Sequence, residues 1–420
     1  MSYRWVILVV GMLAYTTSFF ARTSYIGIAK FISEDLHLDK AALGLMGSVF
    51  FYAYALSQLP WGASSDRWGS RKVVSICVFA TALTLWGFST SASAGALNFW
   101  RVLNGIAAAG AYVCMAGAIS QWFSPKERGF TFGLFAAVGG GVGEGTSQAL
   151  APWLVHAGFT WRSATASLAG VIGLIAILCV LFLRPSPQYA AAANRKPFDW
   201  SILADLNLWG FTAIYSGSII AIRVLVPWLP IYATDIYISQ GMDVKTAALA
   251  GGMLSTLYLV GRAVGVPIAG FVSDRLITRG ISRKSLAVAF LLFTIVLLQL
   301  MPMGIESTSL LGVTAFLLGV SINMYPLITT AMSETFGPLR TSSAMGVLNT
   351  VAQLSGAMAL TVSGYLGVAL STTGNALDEY RGIWLVGVVG CIMTVAIGLA
   401  ISQIVKSRVR SGAAYQQSGL

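Results

Sequence analysis

The chain has few charged residues, and this shortage excludes a soluble globular protein. Only 10% of its 420 residues are Asp, Glu, Lys or Arg, whereas 56% are hydrophobic. A soluble domain carries about 25% charged residues. Apolar runs of about 20 residues, long enough to cross a bilayer as helices, recur along the whole sequence. We therefore expect a membrane protein that crosses the bilayer many times.

Cysteine and histidine are also scarce, with four and two residues respectively. The cysteines lie in apolar runs without metal-ligand spacing, so we expect no disulfide framework, no metal and no other cofactor. We find no nucleotide-binding motif and no catalytic cluster, and we predict that the chain is not an enzyme. The formal net charge of +11 does not predict nucleic-acid binding, because the positive residues lie in short loops between apolar runs.

Hydropathy predicts an all-α membrane protein with twelve transmembrane helices in two pseudo-symmetric six-helix bundles. The expected domains are an N-terminal bundle 1–184, a linker 185–207, a C-terminal bundle 208–405 and a tail 406–420. Lys and Arg concentrate in the loops on the side of the linker, so we expect both termini in the cytoplasm. We also expect a monomer in the cytoplasmic (inner) membrane. The predicted spans are 5–31, 41–64, 72–92, 97–122, 130–155, 163–184, 208–235, 247–271, 285–303, 309–334, 342–370 and 383–405.

Two similar loops mark the two halves of the chain. Residues 62–72 read GASSDRWGSRK, and residues 270–275 read GFVSDR. The first loop resembles the G-x-x-x-D-R-x-G-x-R-[KR] signature of the major facilitator superfamily, and it falls between predicted helices two and three, as in that family. The resemblance implies the twelve-helix fold and a loop that latches a cytoplasmic gate. The gate residues that it implies are Gly62, Asp66, Arg67, Arg71, Asp274 and Arg275.

Three arginines, Arg22, Arg223 and Arg262, lie inside stretches that are otherwise apolar enough to cross a membrane. A guanidinium keeps its proton at any depth. Placing a cation near the bilayer centre costs about 2.5–3.5 kcal/mol on insertion scales. A chain that retains three such residues is expected to use them on a negative ligand. We therefore predict a carrier for a small organic anion.

The segments around Arg22 and Arg223 resemble the anion:cation symporter and organophosphate antiporter branches of the superfamily. The resemblance implies that Arg22 binds a carboxylate or phosphate, and that Arg223 is the helix-seven partner found in the antiporters. The arrangement of Arg262 in helix eight resembles that of oxalate and monocarboxylate carriers, which implies contact with the substrate; a structural ion pair or a helix-packing role is the alternative. Ala21 stands where symporters often have an acid, and Gln58 stands near the position where phosphate exchangers have a lysine. Symport and exchange therefore both remain open.

Glu144 is the one acid that the sequence places deep in the membrane, within a glycine-rich part of predicted helix five. It is a candidate proton carrier, with a fixed ion pair as the alternative. Other polar and aromatic residues in the predicted helices are candidates to line a substrate cavity or, equally, to form interhelical hydrogen bonds. These are Tyr25, Tyr52, Tyr54, Gln58, Gln148, Tyr258, Asn323, Tyr325, Asn349 and Gln353.

Together these features predict a secondary active transporter that moves a small organic anion, with a carboxylate favoured, by alternating access. Proton-coupled symport is the first prediction for its mode, and exchange of an organophosphate or dicarboxylate for a counter-anion is the alternative. A drug exporter is disfavoured, because exporters of cationic drugs need buried acids. A transporter-like anion sensor is a hypothesis of another class, and it is expected to carry an added signalling domain.

Overall fold

The computed structural model describes residues 3–123, 131, 134–184, 200–322, 324–371 and 377–417. Within these ranges the chain is helical and contains no β-strand. Ten of the described helices are long and apolar enough to cross a membrane, and Thr308–Ile322 is a shorter apolar helix. The prediction of an all-α membrane protein is therefore confirmed.

The helices follow the predicted apolar runs along the chain. The first half contains α1 Tyr3–Thr23, α2 Ala29–Leu36, α3 Lys40–Trp68, α4 Ser70–Ser89, α5 Ala94–Trp122, a π-helix Phe135–Val142, α6 Gly143–His156 and α7 Trp161–Phe182. The second half contains α8 Leu206–Ser239, α9 Val244–Ile277, α10 Arg283–Leu298, α11 Thr308–Ile322, α12 Tyr325–Ala369 and α13 Glu379–Gln417.

Several helices begin at polar residues that cap their first turn. The side chains of Asp39, Ser93, Thr160 and Ser282 accept hydrogen bonds from backbone amides three residues later. Such caps satisfy amides that have no partner within the helix. The predicted bounds of helices ten and eleven were wrong. The expected loop between them lies inside the continuous helix α12, and α11 already ends at Ile322, within predicted helix ten.

Predicted helix one is broken in its last third. Helix α1 ends at Thr23, a 3₁₀ turn follows at Ile26–Ile28, and α2 then continues to Leu36. Arg22 lies in the last turn of α1, about 28 Å from Tyr3 by the helical rise. The break therefore follows directly after a buried arginine, and the last carbonyls of α1 have no partners within that helix.

Glycines allow three pairs of elements in the first half to pack closely. A methyl group at Gly105 of α5 would lie 2.3 Å from the carbonyl oxygen of Phe50 in α3. A methyl at Gly139 would lie 2.8 Å from Tyr15 of α1, and one at Gly143 would lie 3.1 Å from Thr16. The glycine-rich segment before Glu144 therefore serves helix packing.

Contacts divide the chain into two compact units. Unit 1 contains Met1–Lys196 and Val226–Thr256, and unit 2 contains Pro197–Leu225 and Leu257–Leu420. Parts of α8 and α9 therefore pack with the first half of the sequence. The two six-helix bundles and the linker between them stay a prediction, and residues 185–199 of the linker lie outside the described residues.

Candidate functional site

Arg22 is a buried cation without a carboxylate partner among the described residues. Its residue surface is only 9% exposed. The guanidinium carbon lies 4.0 Å from the ring centre of Phe19 and 5.7 Å from that of Tyr54. Its Nε atom has no hydrogen-bond acceptor in the described part of the chain. Two aromatic rings therefore hold the charge in place, and its hydrogen-bonding capacity remains available to a ligand.

Helix α6 packs against the break beside Arg22. The hydroxyl groups of Thr23 and Ser147 are hydrogen-bonded to each other. Glu144, one turn before Ser147, is buried, with 6% of its surface exposed. Gln148 is 3% exposed, and its Nε2 atom finds no acceptor among the described residues. Because positions three and four apart share a helix face, these polar groups of α6 lie on the face that meets α1.

Arg101, which the sequence analysis did not single out, lies deep within unit 1. Only 2% of its surface is exposed. Its guanidinium donates hydrogen bonds to the carbonyl oxygens of Ala21 (2.6 Å), Arg22 (3.4 Å) and Met46 (3.2 Å). One signal for this role was available in the sequence: Arg101 stands in an apolar run, seven residues after the N-terminus of α5.

Arg223 is the corresponding buried arginine of unit 2. It is 7% exposed, and its Nη2 atom donates a hydrogen bond to Oε1 of Gln353, 2.7 Å away. A methyl group at Gly356, one turn after Gln353, would lie 2.7 Å from Cγ of Arg223. This glycine therefore lets the arginine stem lie directly against α12. Two predicted site residues from different helices are thus brought together.

The remaining predicted cavity residues vary in burial. In unit 1, Tyr25 and Tyr54 are buried, whereas Tyr52 and Gln58 are half-buried. In unit 2, Tyr258 is 2% exposed, and Arg262 and Asn349 are half-buried. Asn323 lies outside the described residues, as does the side chain of Tyr325. Their roles in binding stay predictions.

The predicted gate residues are described only in part. The side chains of Asp66 and Asp274 lie outside the described residues, while Arg67, Arg71 and Arg275 are exposed. Nη2 of Arg71 donates a hydrogen bond to the carbonyl oxygen of Val180, 2.9 Å away, in the last turn of α7. A cation at a helix C-terminus is favourable. A methyl at Gly62 would lie 3.3 Å from Val113 of α5.

A second charged cluster in unit 1 was not expected from the sequence. Asp235 of α8 is 6% exposed. Its carboxylate lies 3.1 Å from Nζ of Lys30 in α2 and 3.9 Å from Nζ of Lys40 at the start of α3. Pairing across a separation of about 200 residues carries no local signal.

Comparisons with known proteins agree with the fold. One similar structure is the crystal structure of a bacterial homolog of the human lysosomal transporter Spinster, in an inward-facing and unoccupied conformation. It superposes on this chain with a TM-score of 0.79. The two sequences are 18% identical, and the match covers 96% of this chain and 98% of that one. This likeness shows the fold alone.

Two curated relatives are closer in sequence. The probable sulfoacetate transporter of Cupriavidus necator is 28% identical over 299 residues, covering 66% of this chain and 66% of that protein. The chain thus spans just under two thirds of that relative's length. The D-galactonate transporter of Escherichia coli is 25% identical over 403 residues, covering 87% and 89% respectively.

The fold and the buried arginines define a helical membrane protein of the transport class. The family profile of the Major Facilitator Superfamily matches residues 11–252 and 238–414, which together include most of the sequence. The chain belongs to the Major Facilitator Superfamily.

Proposed function

We propose that the chain is a secondary active transporter that moves a small organic anion by alternating access. The buried guanidinium of Arg22 carries this proposal, because no carboxylate of the described residues neutralises it. An intramembrane cation is costly and is retained where function uses it. A bound anion would supply charge-assisted hydrogen bonds to the guanidinium and offset its desolvation.

Arg223 provides a second guanidinium for anion binding. Its hydrogen bond to Gln353 holds the planar fork in one orientation. Because a guanidinium can bind a carboxylate through two parallel hydrogen bonds, such a fixed fork selects planar acidic groups. The amide of Gln353 is neutral, so it orients Arg223 without cancelling its charge. The arrangement therefore suits an anionic ligand better than a neutral one.

A carboxylate is the favoured acidic group. The two curated relatives are named for sulfoacetate and D-galactonate, and both compounds contain a carboxylate. The buried Nε2 of Gln148 is a donor that a second oxygen of the substrate could satisfy. Unsatisfied buried donors cost about 1–3 kcal/mol, so a hydroxylated or second acidic group at this point would gain affinity. Sugar acids and short dicarboxylates or sulfocarboxylates meet both requirements.

The ion cluster around Asp235 supports an alternating-access cycle. It joins α8 to α2 and α3 within unit 1, at the predicted outer ends of these helices. Opening toward the outside requires these helices to separate, and closing requires them to meet again. An ion pair can form and break in such a cycle without covalent change. We assign Asp235, Lys30 and Lys40 to the outer gate.

Proton coupling is assigned to Glu144. Its carboxyl group is buried on α6, where protonation and deprotonation would change the charge next to the broken helix one. A buried carboxyl group that changes protonation state can couple ion and substrate movement. Both termini are assigned to the cytoplasm and the protein to the cytoplasmic membrane, in keeping with the positive charges of the predicted cytoplasmic loops.

Transport by purified protein in liposomes tests the proposal. D-galactonate, sulfoacetate, glycerol 3-phosphate and the neutral polyol galactitol would be offered under an inward proton gradient. We expect accumulation of a carboxylate and none of galactitol. Accumulation only when the vesicles contain the same anion would favour exchange over symport. Uptake of galactitol at the same rate as D-galactonate would contradict an anion carrier.

A further inference from the structure

The broken helix beside Arg22 depends on a second arginine. We infer that Arg101 is a positioning residue that fixes the break in helix one and thereby the orientation of Arg22; this inference rests on the proposed binding of an anion by Arg22. Arg101 comes from α5, whereas the break lies between α1 and the 3₁₀ turn. Arg101 therefore positions helix one, whereas Arg22 binds the anion, although the two arginines are neighbours in the fold.

The guanidinium of Arg101 directs its hydrogen bonds to backbone carbonyls of two other helices. Nη1 donates to the carbonyl oxygen of Ala21, Nη2 to that of Arg22, and Nε to that of Met46 in α3. Each nitrogen thus has a backbone acceptor. The side chain is 2% exposed, and among the described residues it forms no ion pair. These bonds tie α5 to α1 and α3 and leave little of the group for a ligand.

The break in helix one needs donors for its backbone carbonyls. Around it, the amide of Ser24 bonds to Phe20 at 3.4 Å and the amide of Ile28 bonds to Tyr25 at 3.2 Å. The last carbonyls of a helix have no partner within it, and lipid supplies no donor to replace water. Arg101 provides donors to two of these carbonyls. Its positive charge also faces the negative end of the α1 dipole.

Aromatic rings enclose the guanidinium of Arg101. Its guanidinium carbon lies 4.3 Å from the ring centre of Tyr25 and 4.5 Å from that of Phe50. Phe50 in turn stacks on Tyr54, with the ring centres 5.8 Å apart, and Tyr54 faces Arg22. The aromatic rings that contact the two arginines thus belong to one packed cluster. Movement of Arg101 is transmitted to Arg22 through the backbone and through these rings.

The experiment measures equilibrium binding of D-galactonate and sulfoacetate to purified Arg101→Lys. An ammonium cannot reach three carbonyls in the geometry of the fork, so we expect affinity to fall about tenfold. The matched control is Arg162→Lys, because Arg162 also bonds to a carbonyl, that of Ser91, but lies at the surface. The control should bind like the wild type. Equal affinity in folded Arg101→Lys would overturn the inference.

A double-mutant cycle separates positioning from general destabilisation. If Arg101 acts through Arg22, the Arg101→Lys change should have little further effect on binding in an Arg22→Lys background. Full additivity of the two changes would contradict this mechanism. Hydrogen exchange of the amides at 24–28, measured without any anion, should be faster in Arg101→Lys. Unchanged exchange at these amides would also overturn the inference.

Two further outcomes keep the inference distinct from the proposed function. If wild-type protein binds none of the offered anions, the proposed function fails, while the hydrogen-exchange result still decides the role of Arg101. If Arg101→Lys does not fold, Phe50→Leu removes one ring from the guanidinium and leaves its carbonyl bonds. This variant should weaken binding about threefold, in line with a partly desolvated cation–π contact. Unchanged binding in Phe50→Leu would then overturn the inference.

Discussion

Lys30 and Asp235 form an ion pair in unit 1, with Nζ of the lysine 3.1 Å from Oδ1 of the carboxylate. Lys40 approaches the same carboxylate at 3.9 Å. The pair connects α2 to α8, which lie far apart in sequence. If it belongs to the outer gate, its removal shifts the protein toward an outward-open state. A change of about 1 kcal/mol would alter such an equilibrium about fivefold.

Asp235→Asn tests this gate. The substitution removes the carboxylate charge that both lysines contact, so we expect separation of the helices to become easier. Ser255 of α9 is 3% exposed, and the four native cysteines are buried. Labelling of Ser255→Cys by a membrane-impermeant maleimide should therefore rise in Asp235→Asn. Asp243→Asn is the control, because this exposed carboxylate accepts hydrogen bonds from the amides of Lys245 and Thr246 at the start of α9. Equal labelling in both variants would remove Asp235 from the gate.

Gln353→Glu should block anion binding at Arg223. The present amide oxygen lies 2.7 Å from Nη2 of the arginine. A carboxylate there would pair with the guanidinium and compete with the substrate, so we expect at least about tenfold weaker binding. Gln353→Leu removes the hydrogen bond without adding charge and should cost only about 1 kcal/mol. Isothermal titration with the transported anion measures both variants. Equal losses would show that charge at this position is unimportant.

Glu144→Gln separates coupling from binding. The amide cannot carry a proton, while its size and hydrogen-bonding groups resemble those of the protonated acid. We expect the variant to retain anion counterflow and to lose accumulation driven by a proton gradient. Both activities are measured on the same proteoliposomes. Accumulation at the wild-type level would leave Glu144 without a coupling role.

Gly105→Ala tests the packing of α3 on α5. The added methyl would lie 2.3 Å from the carbonyl oxygen of Phe50, and backbone cannot yield as a flexible side chain can. Overpacking of this kind costs about 1–3 kcal/mol, so the temperature of thermal unfolding in detergent should fall. Gly170→Ala in α7 is the matched control, because a methyl at Gly170 would meet nothing within 4 Å. This control should be neutral or slightly stabilising, as expected from helix propensity.

Much of the fold was accessible from the sequence because bilayer-spanning helices leave a local signal. Long apolar runs predicted the helices, and capping residues such as Asp39 and Ser93 stand at their starts. The broken helix one was not predicted, since the stretch across Ser24–Ile28 stays as apolar as a continuous helix. Its cause is tertiary, in the carbonyl bonds from Arg101. Local hydropathy cannot report a donor that comes from another helix.

The candidate site was predictable only where a charged residue stands inside a membrane-spanning segment, because such a residue costs free energy there. Arg22 and Arg223 stood out because an intramembrane cation needs a reason, and both are buried. Gln353, the partner of Arg223, was one of many polar candidates, and nothing in the sequence connected these two residues. Asp235 was missed because the sequence places it near a helix end, where acids are common. Its burial and its two lysines emerge only from packing.

In the proposed mechanism, the Arg22 guanidinium binds the acidic group of the transported anion. The most direct measurement is the affinity of purified wild-type and Arg22→Lys protein for the anion identified by transport, with Arg162→Lys as the surface control. Arg22→Lys should keep the thermal stability of the wild type without ligand and bind at least about tenfold more weakly, a loss of about 1.4 kcal/mol. Wild-type affinity in folded Arg22→Lys would contradict the claim.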